Sequence, residues 1–182
     1  MRIASRESAA ALVLLAASLA IYAQTADFQF VNIDDNMFFY QNAHVLGGLT
    51  AANIAWAMTS NFINWQPLAW LSHMAAVSVF GPQPGPQHLI NAVLHALNGA
   101  FLFLLLRRMT GEFWLSALAA AVFALHPLRV QSVAWVTERK DVLSGFFWLL
   151  TLWAYLDYTE RPASRARYWR LLAAFALAID AR

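Results

Sequence analysis

Residues 88–106, HLINAVLHALNGAFLFLLL, contain no Asp, Glu, Lys or Arg and are closed by the pair Arg107 and Arg108. A helix rises about 1.5 Å per residue, and about 20 mainly apolar residues cross the ~30 Å hydrocarbon core of a bilayer. This run therefore predicts a membrane helix. The composition agrees: 60% of the 182 residues are hydrophobic and 12% are charged, whereas soluble domains carry about 25% charged residues. The chain has no cysteine, so it has neither a disulfide framework nor a thiolate metal site.

Other apolar runs predict spans at 9–26, 113–128 and 142–158, with a partial span at 168–182. The first follows Arg2 and Arg6 without a small-residue cleavage site and reads as a retained signal-anchor. Four alternating spans bring Arg2, Arg6, Arg107, Arg108, Arg161, Arg165, Arg167 and Arg170 to one side. Basic residues favour cytoplasmic loops, so that side is the inside. Residues 27–87 then form a long extracytoplasmic loop. Within it LGGLTAANIAWAM and WQPLAWLSHMAAVSVF predict interfacial helices with Trp56, Trp65 and Trp70 at headgroup depth; the alternative is a pair of extra spans. The expected fold class is all-α, a polytopic membrane helical bundle occupying 1–182 as one partial membrane domain. The basic loop RPASRARYWR suits contact with anionic membrane lipids.

Three stretches carry polar groups of chemical interest. In FVNIDDNMFF, Asp34 and Asp35 sit among Phe28, Phe30, Ile33, Met37, Phe38 and Phe39, which would hold them at the bilayer surface. Partial desolvation there makes a carboxylate a better general base. On an extended backbone adjacent side chains diverge, so one acid would face a substrate while the other braces the loop. The plainer alternative is a solvated turn. His88, Asn91, His95 and Asn98 recur at spacings that share one helix face, as a lining for a polar headgroup or as interhelical hydrogen bonds. His88 and His95 lie roughly 10 Å apart along a helix axis, too far to share one metal ion without other ligands.

The third stretch is HPLRVQSVAWVTERKD, from His126 to Asp141. Pro127 suits a first helical turn, and a continuous helix from there through Tyr158 is expected. Its first turns would project from the membrane on the same side as Asp34 and Asp35. Arg129, Arg139 and Lys140 can clamp a phosphate, with Glu138 or Asp141 orienting the clamp; the alternative is a self-neutralising helix end. No glycine-rich nucleotide loop, helical His-Glu zinc motif or nucleophile elbow is present, which argues against a soluble-type nucleotide-sugar enzyme. No nucleic-acid partner is expected.

FVNIDDNMFFYQNAHV, NWQPLAWLSHM, HLINAVLHALNGAFLFLLLRRMTG and ALHPLRVQSVAWVTERKDVLSGFFWLLTLWAYLDY resemble the N-terminal membrane region of bacterial membrane proteins carrying tetratricopeptide repeats. Those in turn resemble the transmembrane and tetratricopeptide-repeat O-mannosyltransferases of the GT-C glycosyltransferase superfamily. The resemblance covers roughly residues 9–160. It implies a multi-span enzyme of the bacterial cytoplasmic membrane that moves a sugar, such as mannose, from a polyprenyl-phosphate carrier to a protein or other hydroxyl acceptor outside the cytoplasm. It places the catalytic base on Asp34 or Asp35 and the contacts to lipid phosphate on Arg129, Arg139 and Lys140. His88, Asn91, His95, His126, Glu138 and Asp141 would be supporting polar groups. A carboxylate pair can also hold a divalent metal, on which members of the superfamily differ. The chain departs from the family pattern at Asn36, Gln66, Ala76 and Gln131. Further spans and helical repeats would follow in such a protein, so a fragment is expected. A non-catalytic membrane scaffold and a transporter piece are the rival readings.

Overall fold

A computed structural model of the chain describes residues 5–62 and 64–181. Arg2, used above to orient the first span, lies outside the described residues, as does Arg182. The described residues are helical, without strands, and the chain is an all-α membrane protein. The helices are α1 (Ser5–Tyr22), α2 (Ala43–Leu46), α3 (Ala51–Thr59), α4 (Pro67–Phe80), α5 (Pro84–Thr110), α6 (Phe113–Leu125), α7 (Val130–Ala134), α8 (Arg139–Glu160) and α9 (Arg165–Asp180).

Helix α5 is the hub on which α1, α6 and α8 pack. Pro84 opens it, where the missing N–H costs no hydrogen bond. Gly111 closes it at φ 76°, its N–H reaching the Arg107 carbonyl. That left-handed residue is the usual helix stop. Midway along α5, a Cβ on Gly99 would lie 2.7 Å from the Cβ of Ala124. Small residues let α5 and α6 approach backbone to backbone, a common device where lipid offers no hydrophobic drive to association.

Ser5–Asp27 and Pro84–Thr110 are long and apolar enough to cross a bilayer, and α6 and α7 together would make a third, broken span bent by 50°. The expected run 142–158 falls inside α8 and 168–182 overlaps α9. Charges at both ends of α8 and its Trp and Tyr content lower its hydropathy.

Two sequence expectations are corrected. The helix expected from Pro127 through Tyr158 is broken into a 3-10 turn at Pro127–Arg129, α7, another 3-10 turn at Val136–Glu138, and α8. Pro127 cannot donate to α6 and disfavours helical geometry at His126, whose backbone is extended, with ψ 132°. Trp135 is extended as well, and its carbonyl accepts from Asn91 Nδ2 at 2.9 Å. The second correction concerns Trp70, which is not an exposed ring free to anchor in the interface. It is fully buried and stacked on Phe38 with ring centroids 5.3 Å apart. Phe38, Phe39, Val45, Ala57, Trp70, Met74 and Val77 form a core of their own, closed by Val136. Each large side chain so buried contributes about 1.5–3 kcal/mol, so the 27–87 loop is a packed cap. Trp65 remains exposed.

Candidate active site

The acid pair lies in a turn, not on the extended backbone expected. Asp34 has φ 65°, a left-handed conformation that Asp tolerates better than most residues but that still carries strain. Asp35 returns to right-handed helical angles, and the next residues, Asn36–Tyr40, make a single π-helical turn. Such turns concentrate at functional sites. The two side chains differ in burial and in partners. Asp35 is fully buried, with Oδ2 accepting from the Val31 N–H at 2.8 Å. Its Oδ1 accepts from the Thr137 N–H at 3.0 Å and the Thr137 hydroxyl at 2.5 Å. The half-buried Asp34 carboxylate has no hydrogen-bond or ion-pair partner among the described residues. One acid is thus committed to structure and the other is available.

The Asp35–Thr137 bonds join two charged motifs that are 102 residues apart in sequence. Next to Thr137, Arg139 is fully buried. Its guanidinium donates from Nε to Asn91 Oδ1, from one terminal nitrogen to Ser72 Oγ at 2.9 Å, and from the other to the carbonyl and the side-chain oxygen of Gln87 at 2.8 and 3.0 Å. It pairs with no carboxylate among the described residues. Burial pushes it down to about 9, so it stays charged at neutral pH. It ties α4 and α5 to the start of α8 with its planar fork of donors. Gln87 Oε1 also lies 3.0 Å from His73 Nδ1. Burial, and then the charge of Arg139, hold His73 down to about 3. His73 is therefore neutral and donates from Nδ1.

The three cations grouped in the sequence are not gathered around one pocket. Lys140 pairs with Glu138 at 2.7 Å, and burial raises the Glu138 carboxyl above its ordinary value. Arg129 is exposed, its guanidinium 4.4 Å above the ring of Phe123. It lines a cavity of about 580 Å³ together with His95, Asn98, Ser132, Asp141 and Trp148. Asp34, Asp35, Glu138, Arg139 and Lys140 do not line it. Asp141 accepts from Ser132 Oγ at 3.4 Å. His126 caps the turn after α6, its Nδ1 accepting from the Leu128 N–H at 3.2 Å.

The polar face of α5 is buried throughout and serves mainly as interhelical glue. Asn91 holds Trp135 and Arg139, His95 Nε2 lies 3.0 Å from the Ala124 carbonyl, and Asn98 donates to the Val142 carbonyl at 2.7 Å. His88 is fully buried, edge-on to Phe28 at 6.0 Å. Among the described residues no cluster of three or more His, Asp or Glu side chains could hold a metal ion. Thr137, Ser72 and Gln87 were not marked by sequence reasoning. Thr137 alone had a signal, as the polar residue heading the charged run TERKD.

The chain is 31% identical over 173 residues to the protein O-mannosyl-transferase Tmtc2 of Drosophila melanogaster, covering 88% of this chain and 18% of that protein. It is 28% identical over 170 residues to the protein O-mannosyl-transferase TMTC2 of Mus musculus, covering 88% and 20%. Protein O-mannosyl-transferase Tmtc1 of Drosophila melanogaster is 29% identical over 158 residues, covering 82% and 18%. The chain resembles the protein O-mannosyl-transferases. It spans about a fifth of the length of these relatives, and the matched part includes the acid loop or the charged block beside it. No family model matches the sequence. No solved structure matches it.

Proposed function

We propose that this chain is the catalytic-loop portion of a membrane glycosyltransferase. It would transfer a sugar, mannose being the first candidate from the relatives' names, from a polyprenyl-phosphate carrier to a hydroxyl of a protein. The membrane is the bacterial cytoplasmic membrane, with the N-terminus inside and the acid loop outside. Asp34 is the general base: its carboxylate takes the acceptor's proton as the hydroxyl oxygen bonds to the anomeric carbon. The bond from that carbon to the phosphate oxygen breaks, and the carrier leaves as polyprenyl phosphate. A direct attack of this kind inverts the anomeric centre. Arg129, exposed at the edge of the cavity, is the cation best able to meet the leaving phosphate, because Arg139 has committed its donors and Lys140 its charge. With both oxygens of Asp35 occupied, Asp34 alone could offer a carboxylate to a divalent ion, and no step is assigned to a metal.

The observation that carries this reading is the division of labour in the acid pair: Asp35 is anchored to Thr137 while Asp34 stands unpartnered in a strained turn beside it. A site that must hold a base within a few tenths of an ångström needs such a supporting residue. The test is mannosyl transfer from a synthetic polyprenyl-phosphate mannose by membranes of cells producing the protein, read by mass spectrometry of acceptor peptides. Loss of transfer in Asp34→Asn, with insertion retained, supports the assignment. Transfer at the unsubstituted rate would reject it, leaving the scaffold reading.

A further inference from the structure

The far end of the bundle, where α5, α8 and α9 meet, carries a second constellation that glycosyl transfer does not use. Arg108 lies over the ring of Trp153 at 4.7 Å and pairs with Asp157 at 2.7 Å and Glu160 at 2.6 Å. Arg167 approaches Glu160 at 3.7 Å and donates from the same nitrogen to the Asp157 backbone carbonyl, which leaves the rest of its guanidinium open. Both acids at this corner are thereby consumed. Arg161, Arg165 and Arg170 are exposed and have no acidic partner among the described residues. The side chain of Arg170 makes one long hydrogen bond, from Nε to the Ala166 carbonyl at 3.3 Å, which leaves its terminal nitrogens open.

Directly against this basic rim lies a slot of about 320 Å³ between α8 and α9. Its wall is mainly apolar, with Leu150, Trp153 and Ala154 on α8 and Ala173, Ala174 and Leu177 on α9; the charged lining is Arg167, Arg170 and Asp157, the last already paired with Arg108. An apolar slot between two helices gains packing contacts on both walls when a hydrocarbon group fills it. Alanines opposite alanines leave that space by design of the sequence, whereas larger residues would have closed it.

We propose that this slot binds an anionic phospholipid, one acyl chain lying along the alanines and the phosphate resting on Arg170 and Arg167. Two complementary features select that occupant. The apolar floor favours a hydrocarbon chain over a hydrated ion, and the net positive rim favours an anionic headgroup over a zwitterionic one. Basic pockets between membrane helices recognise lipid phosphates in this way, each cation near the surface strengthening binding by about fivefold. The bound lipid would hold α9 on α8 and thereby brace the lower half of the helix that begins at Arg139. The proposal is independent of the transferase reading, since the slot shares no residue with the acid loop.

The experiment is native mass spectrometry of the protein released from nanodiscs of phosphatidylglycerol mixed equally with phosphatidylcholine. Retained phosphatidylglycerol is expected to exceed phosphatidylcholine at least fivefold. Arg170→Gln should cut that preference about fivefold by removing the open cation. Ala173→Leu, which fills the slot and leaves every charge in place, should reduce retention of both lipids; helical content by circular dichroism checks that both variants fold. Equal retention of the two lipids would overturn the proposal. So would displacement of bound lipid from the unsubstituted protein by soluble glycerol phosphate at the concentration that saturates the rim, because a headgroup alone would then account for binding. Cross-linking of the Ala173→Cys variant to a protein helix in the native membrane would likewise overturn it by assigning the slot to protein.

Discussion

Replacing Asp35 by alanine removes the acceptor for three hydrogen bonds, from Val31 N–H and from the N–H and hydroxyl of Thr137. Hydrogen bonds to a charged group are worth about 1.5–3 kcal/mol each, and a buried ion loses several kcal/mol in desolvation, so the gross gain is largely offset. The change is nevertheless costly, because it strands the Thr137 N–H, whose residue is only 4% exposed, at about 1–3 kcal/mol. It also frees the turn that holds Asp34. We expect about 3 kcal/mol of destabilisation in total, or a fall in Tm of about 6–12 °C for a chain of this size. Tryptophan fluorescence during heating in detergent reads this well, since Trp70 sits in the core that Val136 closes. Thr137→Val should cost less alone, and the double variant should show a coupling of about 1–2 kcal/mol. Asp35→Ala within 0.5 kcal/mol of the unsubstituted protein, or additive single and double variants, would refute the brace.

Arg139→Lys keeps the charge but replaces a planar fork with a point donor that cannot reach Ser72, Gln87 and Asn91 together; thermal unfolding should show a loss of about 3 kcal/mol, and Arg139→Met a similar loss. His73, held neutral at about 3, binds its proton more weakly in the folded state than in the unfolded chain. Its contribution to stability is therefore complete above pH 6.5 and is lost as pH falls towards 3. At pH 5 the loss is about 2 kcal/mol, and Tm measured from pH 7 to 5 should fall less steeply in His73→Gln.

Hydropathy made the all-α membrane class and the two long apolar helices legible, because a bilayer imposes both length and composition on a span. It could not foresee that α6 breaks at His126–Pro127 and α7 at Trp135. The second break depends on Asn91, 44 residues away, claiming the Trp135 carbonyl. Trp70 read as an interfacial anchor because its sequence neighbours are apolar in every direction, and only the fold shows that Phe38 covers it. The acid pair was visible as a candidate, and so was the idea that one acid faces a substrate while the other braces the loop. Which one does so was not readable, since the answer lies in a positive φ at Asp34 and in Thr137, far along the chain. Arg139 looked like a phosphate ligand for the same reason that it makes a good tie. A guanidinium suits any cluster of oxygens, and here the cluster belongs to the protein.

The most direct measurement of the central claim is mannosyl transfer by membranes carrying Asp34→Asn and, separately, Asp34→Gly, with Tm recorded on the same samples. Removing a general base typically costs 10²–10⁴-fold in rate, while glycine relieves the left-handed strain and asparagine tolerates it. The account predicts at least a hundredfold loss of transfer in both variants with Tm unchanged or, for Asp34→Gly, slightly raised. Transfer within threefold of the unsubstituted protein at unchanged Tm would contradict it.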